Sequence, residues 1–561
     1  MLRSLIDTGM VLLEGNRAVA TQAISQLIVP DTLQGVIAAR IDRLPIEDKY
    51  TLQTASVIGR VFQQNVLIYL LERQQANVPL ESALDELQQR EFIRWRGELE
   101  YIFKHAITRD VTYNSLLIAR RRELHRSTAE TLEMLFPAQL DELAPTLAYH
   151  YEAADESKKA VHYLIRAGDR ARQTYANQEA IAFYRAAIQQ SERLNDVERM
   201  LSLYENLGTV LSLIGKVDEA IDAYKKASTY TREEDTITQA RLYRRQGSAY
   251  NVSRRLHEMY NAFEQAFQIL GSRSPEATHE WINVQLNRIL ARYFLGRISE
   301  LENVIEESRV IIEAQGTVEQ KVRLFESLVL MDLLRCRYYN IPDQTVSNTK
   351  KYLDLAWRSS NRQILGRAKV LYGFVHLWRG ELAEAEKFFM DGLKDVEAVG
   401  DVESLLITSN YLALLGRKRG DIDFVRKWAQ QTIVLAKKAE NEIYRTTALG
   451  SLAWVEHRTN NDAQARIYLE EALALQKNVP SSIRFMISGP AMAVEIGGGN
   501  WDAAVKHAQE MIDPSYCDMP SDVRSRLEQA IKSWEEGKVE VTGSLFLDCI
   551  ELMQQKKMGF V

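Results

Sequence analysis

Along most of the chain apolar residues recur at spacings of three and four, the period of an amphipathic helix, and helix-breaking prolines are rare. None lies between Pro145 and Pro275 or between Pro342 and Pro480. Helices in those stretches must therefore be ended by glycine or polar turns. Within them one pattern returns. Leu207 and Gly208 are followed by Gly215, Ala220, Tyr224 and Ala227. Gly168 is followed by Ala180, Tyr184 and Ala187, and Gly247 by Tyr250, Phe263 and Ala266, with Met259 replacing the middle alanine. A later copy runs Gly373, Gly380, Ala385 and Phe389, with Gly392 in the last small position. Helix packing explains the residue types: a small residue on one helix lets the next approach, and an aromatic ring fills the space between pairs.

These residues resemble the tetratricopeptide repeat, a helix-turn-helix unit. Gly168, Gly208 and Gly247 recur about every forty residues where the standard repeat has about 34, which predicts longer helices or turns. Degenerate copies follow: Trp281 to Ile312 turning at Gly296, Leu405 to Ala436 turning at Gly420, and a copy carrying Ala453, Ala465, Leu469 and Ala472 that turns at Asn460 and Asn461. Helices around Trp501 to Met511 and Arg524 to Glu536 close the array, Met553 to Lys557 offering a polar end, and Gly497 to Gly499 reads as an inter-helix turn. The expected fold is predominantly all-α, a right-handed superhelix of nine to ten helix pairs over residues 146–561. Each pair is expected to touch only its neighbours, leaving the array flexible.

The preceding segment differs. Asp31 to Leu44 reads as a helix capped by Asp31, Ile46 to Val57 as a second ended by Gly59, and Leu80 to Arg90 as a third. From Phe92 to Phe103 apolar and polar residues alternate around Gly97, the signature of a β-hairpin, and a long helix is expected from Asp110 to Phe136. Three helices and a hairpin predict a winged-helix domain over residues 29–145.

Composition supports helices and narrows the chemistry. Eleven prolines among 561 residues are about 2%, against a usual share near 5%, which argues against turn-rich β architectures. The formal charge of −6 lacks the basic balance of a chain-wide nucleic-acid footprint. Cys336, Cys517 and Cys549 are too sparse for a disulfide framework or a cysteine-rich zinc site, so a reducing cytoplasm is expected. The nine histidines show no H-x-x-x-H or H-E-x-x-H spacing, and no stretch has the roughly twenty apolar residues of a membrane span. No cofactor or metal is expected.

The run Val29-Pro-Asp-Thr-Leu-Gln-Gly-Val-Ile-Ala-Ala-Arg-Ile-Asp-Arg-Leu-Pro45, followed by Leu52 to Arg60, resembles the segment after the nucleotide-binding module of bacterial multidomain signalling ATPases. Phe103 to Leu117, Arg120 to His125 and Leu147 to Tyr151 continue the likeness. In that family a class III cyclase or a protein kinase precedes an AAA-like or signal-transduction (STAND) ATPase, a winged helix and tetratricopeptide repeats. The resemblance implies that residues 1–28 are the remnant of an ATPase-associated helical segment. The rest would be the non-catalytic sensor and coupling part. Nucleotide hydrolysis would need a G-x-x-x-x-G-K-[ST] loop, which the chain does not contain. The chain is therefore not expected to be an enzyme.

Candidate residues follow from both readings. By the resemblance, His105 is placed to sense the phosphates of a nucleotide held by an ATPase module; alternatively it packs the winged-helix core beside Phe103 and Tyr113, bonded to a backbone carbonyl. Arg120, Arg121, Arg122 and Arg126 are interleaved with glutamates and read as a solvated face. Arg241, Arg244, Ser248, Asn251 and Arg255 recur at helical spacing on one face, suited to an acidic peptide or a carboxylate. His150, between two tyrosines, is expected in the core at the entry to the repeats. The function expected is regulatory: a concave repeat surface binding a protein, peptide or small effector, with an ATPase or cyclase module as partner in trans. The alternative is a transcriptional regulator reading DNA through the winged helix, although the mixed charge of the hairpin makes nucleic acid a poor fit.

Overall fold

The computed structural model describes residues 11–14, 17–20, 33–74, 78–271, 273–338, 340–359, 361–475, 484–513 and 518–561. It divides into two compact units, residues 1–173 with 182–197, and residues 174–181 with 198–561. Among the described residues no helix is long and apolar enough to cross a membrane.

The first unit carries the strands. In the segment expected to be helical, Val11–Glu14 (β1) and Arg17–Ala20 (β2) instead pair antiparallel, Glu14 facing Arg17. The remainder of that segment and the expected cap Asp31 lie outside the described residues. Helices Leu33–Asp42 (α1) and Ile46–Ile58 (α2) follow as expected. Two elements not expected from the sequence come next, strand Val61–Gln63 (β3) and helix Gln64–Arg73 (α3). Helix Leu80–Gln89 (α4) leads into the hairpin of Ile93–Gly97 (β4) and Glu100–Phe103 (β5), and the sheet order is β3-β5-β4. At the hairpin tip Glu98 and Leu99 both take positive φ, 51° and 63°, as a two-residue turn matched to strand twist requires. Ile41, Leu52, Phe62, Leu67, Leu84, Phe92 and Phe103 form the core between helices and sheet.

The expected long helix is two, Ala106–Asn114 (α5) and Ile118–Leu135 (α6), separated where Ser115 bonds back to the carbonyls of the preceding turn. Leu140–Ala153 (α7) and Ser157–Gln173 (α8) come next. His125 and His150 are buried together, Nδ1 to Nδ1 at 2.9 Å, and the Tyr113 hydroxyl lies 2.9 Å from His125 Nε2. Burial holds both imidazoles far below their usual range, His125 near 4 and His150 near 3, with neighbouring arginines adding to the effect.

Among the described residues, the helices from residue 157 onward follow one another as ten antiparallel pairs. Helix α8 pairs with Asn177–Leu194 (α9), then come Val197–Leu213 with Val217–Ser228 (α10, α11) and Thr236–Val252 with Leu256–Leu270 (α12, α13). Thr278–Phe294 with Ile298–Gln315 (α14, α15), Val318–Arg335 with Asp343–Arg358 (α16, α17) and Arg362–Trp378 with Leu382–Val399 (α18, α19) continue the series. Val402–Arg419 with Ile422–Lys438 (α20, α21), Glu442–Arg458 with Asp462–Leu475 (α22, α23), Phe485–Gly497 with Trp501–Ile512 (α24, α25) and Ser521–Glu535 with Val539–Gln555 (α26, α27) complete it. The chain is predominantly all-α, with tetratricopeptide-like packing. A Cβ added at Gly168 would lie 2.7 Å from the Tyr184 ring and one at Gly208 2.7 Å from the Tyr224 ring; Phe263 and Phe389 cover Gly247 and Gly373 in the same way. The glycine on the first helix thus receives the aromatic side chain of the second. Gly296 and Gly420 sit in the expected turns with φ of 67° and 73°.

The array is not held by neighbour contacts alone. Within the second unit, Asn177 Nδ2 donates to the Val399 carbonyl at 2.9 Å, and Asn441 Nδ2 to the Val252 carbonyl at 2.8 Å. Gly215 packs on Val402 and Ala439. Helix pairs far apart in sequence therefore meet along a seam, which overturns the expectation of a spring free to flex between neighbours.

Candidate binding cavity

In the second unit the first helices of the pairs from α10 to α22 border a cavity of about 450 Å³. The lining repeats one stripe at helical spacing: Arg244, Ser248 and Asn251 on α12; Asn287, Leu290 and Phe294 on α14; Arg323, Glu326 and Leu330 on α16. Arg367, Val370 and Phe374 on α18 and Ser404, Ile407 and Tyr411 on α20 continue it. Positions i, i+3 and i+7 share a helix face, so each stripe projects into the same space.

Neighbouring inward helices are tied together by a ladder of polar side chains, each rung spanning 36 residues. Arg241 binds both oxygens of Glu205, at 2.9 and 3.2 Å. Arg244 grips Glu280, Arg323 reaches Asn287, and Arg367 meets Glu403 at 3.3 Å and Asp401 at 2.9 Å. Arg245 joins the first rung, 2.6 Å from Glu205 and 2.9 Å from the Thr209 hydroxyl. Glu205 and Thr209 are thus engaged by the protein's own arginines.

The seam closes one side of the cavity. Helix α12 ends at Val252, and Arg254 takes a left-handed φ of 55°. That turn sends Arg254 inward, where Nη1 lies 2.9 Å from Glu403 and 2.6 Å from Asn251 Oδ1, while Asn251 Nδ2 lies 2.6 Å from the same carboxylate. The guanidinium also covers the Phe294 ring at 4.1 Å. Arg367 and hydrogen bonds from Gln363 and the Ser404 amide keep Asp401 below the usual carboxylate range against the cost of its burial.

Of the five residues expected to share a binding face, Arg244, Ser248 and Asn251 line the cavity. Arg241 lies beyond its lining as a rung of the ladder, and Arg255 lies past the helix end, bound at 3.0 Å to Asp218 and to Glu258. The helix period was extended three residues too far, because nothing in the sequence marks the left-handed turn at Arg254. Arg323, Glu326 and Arg367, cavity residues outside that face, carry a legible signal, the i, i+3, i+7 stripe on successive first helices, whereas Glu403 stands one residue before the Ser404, Ile407, Tyr411 stripe and carries none.

His105 is exposed, immediately before α5, while Phe103 is buried. The expectation that His105 packs the core is therefore corrected; as the residue leading into a helix it faces outward. The arginine cluster is neutralised locally, Arg120 on Glu123 at 2.7 Å, Arg122 on Asp155 at 3.4 Å and Arg126 on Glu156 at 2.7 Å, while Arg121 donates to the carbonyls of Leu116 and Asn114.

No family model and no curated protein matches the chain. Among solved structures it is similar to a Rap protein complexed with Competence and Sporulation Factor, at 11% identity and a TM-score of 0.46, covering 66% of this chain and 99% of that one. It is also similar to a Signal Transduction ATPase with Numerous Domains protein with a tetratricopeptide repeat sensor from Pyrococcus horikoshii, at 12% identity and a TM-score of 0.38, covering 92% and 68%. A third is the apo form of the quorum sensor NprR from B. thuringiensis, at 13% identity and a TM-score of 0.38, covering 64% and 99%. At these identities and scores the likeness carries no functional weight.

Proposed function

We propose that the chain is a non-catalytic sensor and coupling module that binds a small effector in the cavity of its repeat array. The observation that carries this reading is the cavity itself: five inward helices present one polar and aromatic stripe to a common space, closed on one side by the Arg254–Glu403 seam. Its volume falls within the range of small-molecule sites, about 300–1,000 Å³. Occupancy acts through the seam, because a ligand that binds the open or closed array better shifts the balance between them by that difference in affinity. Native mass spectrometry of the purified chain, with and without denaturation, tests the reading. A retained small molecule, with a scattering profile that changes when it is removed, is the expected result; an empty cavity that no metabolite pool fills would overturn it.

The finer reading is that the array regulates a signalling ATPase, cyclase-associated or of the signal-transduction type, through a winged helix. The helix–strand–helix–helix–hairpin order of residues 46–103 with the β3-β5-β4 sheet supports a winged helix, and the run from Val29 to Arg60 supports the family. An exposed His105 is open to a partner's nucleotide. Supplying an ATPase module of that family in trans tests this: His105→Ala should speed its loss of ADP, and unchanged ADP retention would remove the role.

A further inference from the structure

One rung of the ladder is unlike the others. Where Arg241, Arg244 and Arg367 each meet a glutamate, Arg323 meets the neutral amide of Asn287. A guanidinium has five N–H donors. Among the described residues Arg323 makes no ion pair, and Asn287 is its one side-chain acceptor. One turn along the same helix, Glu326 lines the same cavity and makes neither an ion pair nor a hydrogen bond among the described residues. Arg367 and Arg323 favour its charged form and Glu403 disfavours it. A cation and an anion therefore face one space with their hydrogen-bonding capacity largely unused. Both side chains are half-buried, and a ligand carrying opposite charges satisfies both at once.

Their environment agrees. Burial pushes the Arg323 guanidinium down to about 10, with Arg244 and Arg367 adding to the effect and Glu326 opposing it. Burial likewise pushes the Glu326 carboxyl up. Leu290, Phe294, Leu330, Phe374 and Tyr411 supply an apolar and aromatic wall beside the two charges.

We propose that the cavity binds an α-amino acid with a large apolar side chain, its carboxylate held by Arg323, its ammonium by Glu326 and its side chain by the aromatic wall. Residues at i and i+3 stand about 5–6 Å apart on a helix surface, which suits a head group carrying both charges on one carbon better than the separated ends of a peptide. This inference rests on the reading of the cavity as an effector site.

Titration calorimetry on the full chain tests it with L-phenylalanine, L-leucine and L-tryptophan, the N-acetyl and the amide derivatives of each, and the dipeptide Phe-Leu. At least one free amino acid should bind, and blocking either end should weaken it about tenfold or more, as expected for losing a charge-assisted hydrogen bond. Arg323→Met should remove the discrimination against the amide, and Glu326→Gln, nearly isosteric, that against the N-acetyl form. The comparison of free with blocked probes needs only the unaltered chain, so a variant that fails to fold leaves the test intact. Equal binding of blocked and free forms, binding of Phe-Leu alone, or binding of none would overturn the proposal. If none binds while native mass spectrometry shows another retained compound, the amino-acid reading fails and the effector site stands.

Discussion

The side-chain amide of Asn441 donates to the main-chain carbonyl of Val252 at 2.8 Å, joining positions 189 residues apart, while its Oδ1 accepts from the Tyr444 amide at 3.1 Å. One buried side chain thus starts helix α22 and fastens it to the end of helix α12. Asn441→Ala removes a helix cap and a long-range bond together, and should lower unfolding free energy by about 2–3 kcal/mol, the sum of the two typical contributions. Urea denaturation measures the loss. Asn441→Asp keeps the cap acceptor but sets a buried carboxylate oxygen against the Val252 carbonyl, and should destabilise at least as much.

Acid should weaken the first unit through its buried histidines. His125 and His150 titrate near 4 and 3 in the folded chain and near 6.5 when unfolded. Between those values the unfolded state binds more protons, so stability is complete above about 6.5 and falls as pH drops toward 4. Comparing denaturation at pH 7 and pH 4.5, His150→Gln should reduce the acid-induced loss by roughly 2–3 kcal/mol. An undiminished loss would place the acid sensitivity elsewhere.

Gly208→Ala tests the repeat packing. The added carbon would lie 2.7 Å from Tyr224 Cε1 and 2.9 Å from Cδ1, inside the contact distance of a ring buried on all sides. Overpacking of this kind costs about 1–3 kcal/mol. Thermal denaturation should show a lower midpoint, and combining it with Tyr224→Leu should cost less than the two changes separately, because the residues share one space.

Arg417 is buried, has no carboxylate partner among the described residues, and donates to the carbonyls of Met486 and Phe560 at 3.0 and 2.9 Å. Burial pushes its guanidinium down to about 9. Arg417→Met leaves both carbonyls without this donor, and should destabilise by about 2–4 kcal/mol. Hydrogen exchange should be fastest to change at residues 558–561, which Arg417 ties to the core.

The repeat was legible because it is local. Gly208 and Tyr224 belong to one helix pair, and the glycine-to-aromatic spacing states their contact directly. Gly296, Gly420 and Gly499 likewise marked turns, since left-handed backbone favours glycine at a helix end. Strand β3 was missed because Val61–Gln63 is too short to show alternation and pairs with a strand some forty residues later. The β1–β2 pair was missed because family resemblance, which favoured a helix, outweighed two four-residue strands. The seam left no local mark at all. Glu403 reads as an ordinary first-turn acid on α20, and only the fold shows that Asn251, Arg254 and Arg367 converge on it.

That convergence also bears on how the protein is made. A string of helix pairs touching only neighbours can fold outward from any starting point, including in the order of synthesis. Here Arg254 waits for Glu403, 149 residues away, before its buried charge is matched. Contacts of such separation slow folding, because a long loop must be closed before they contribute. The cavity cannot be completed until the chain has been made past Glu403 and Tyr444, so its first lining helices stand open through much of synthesis.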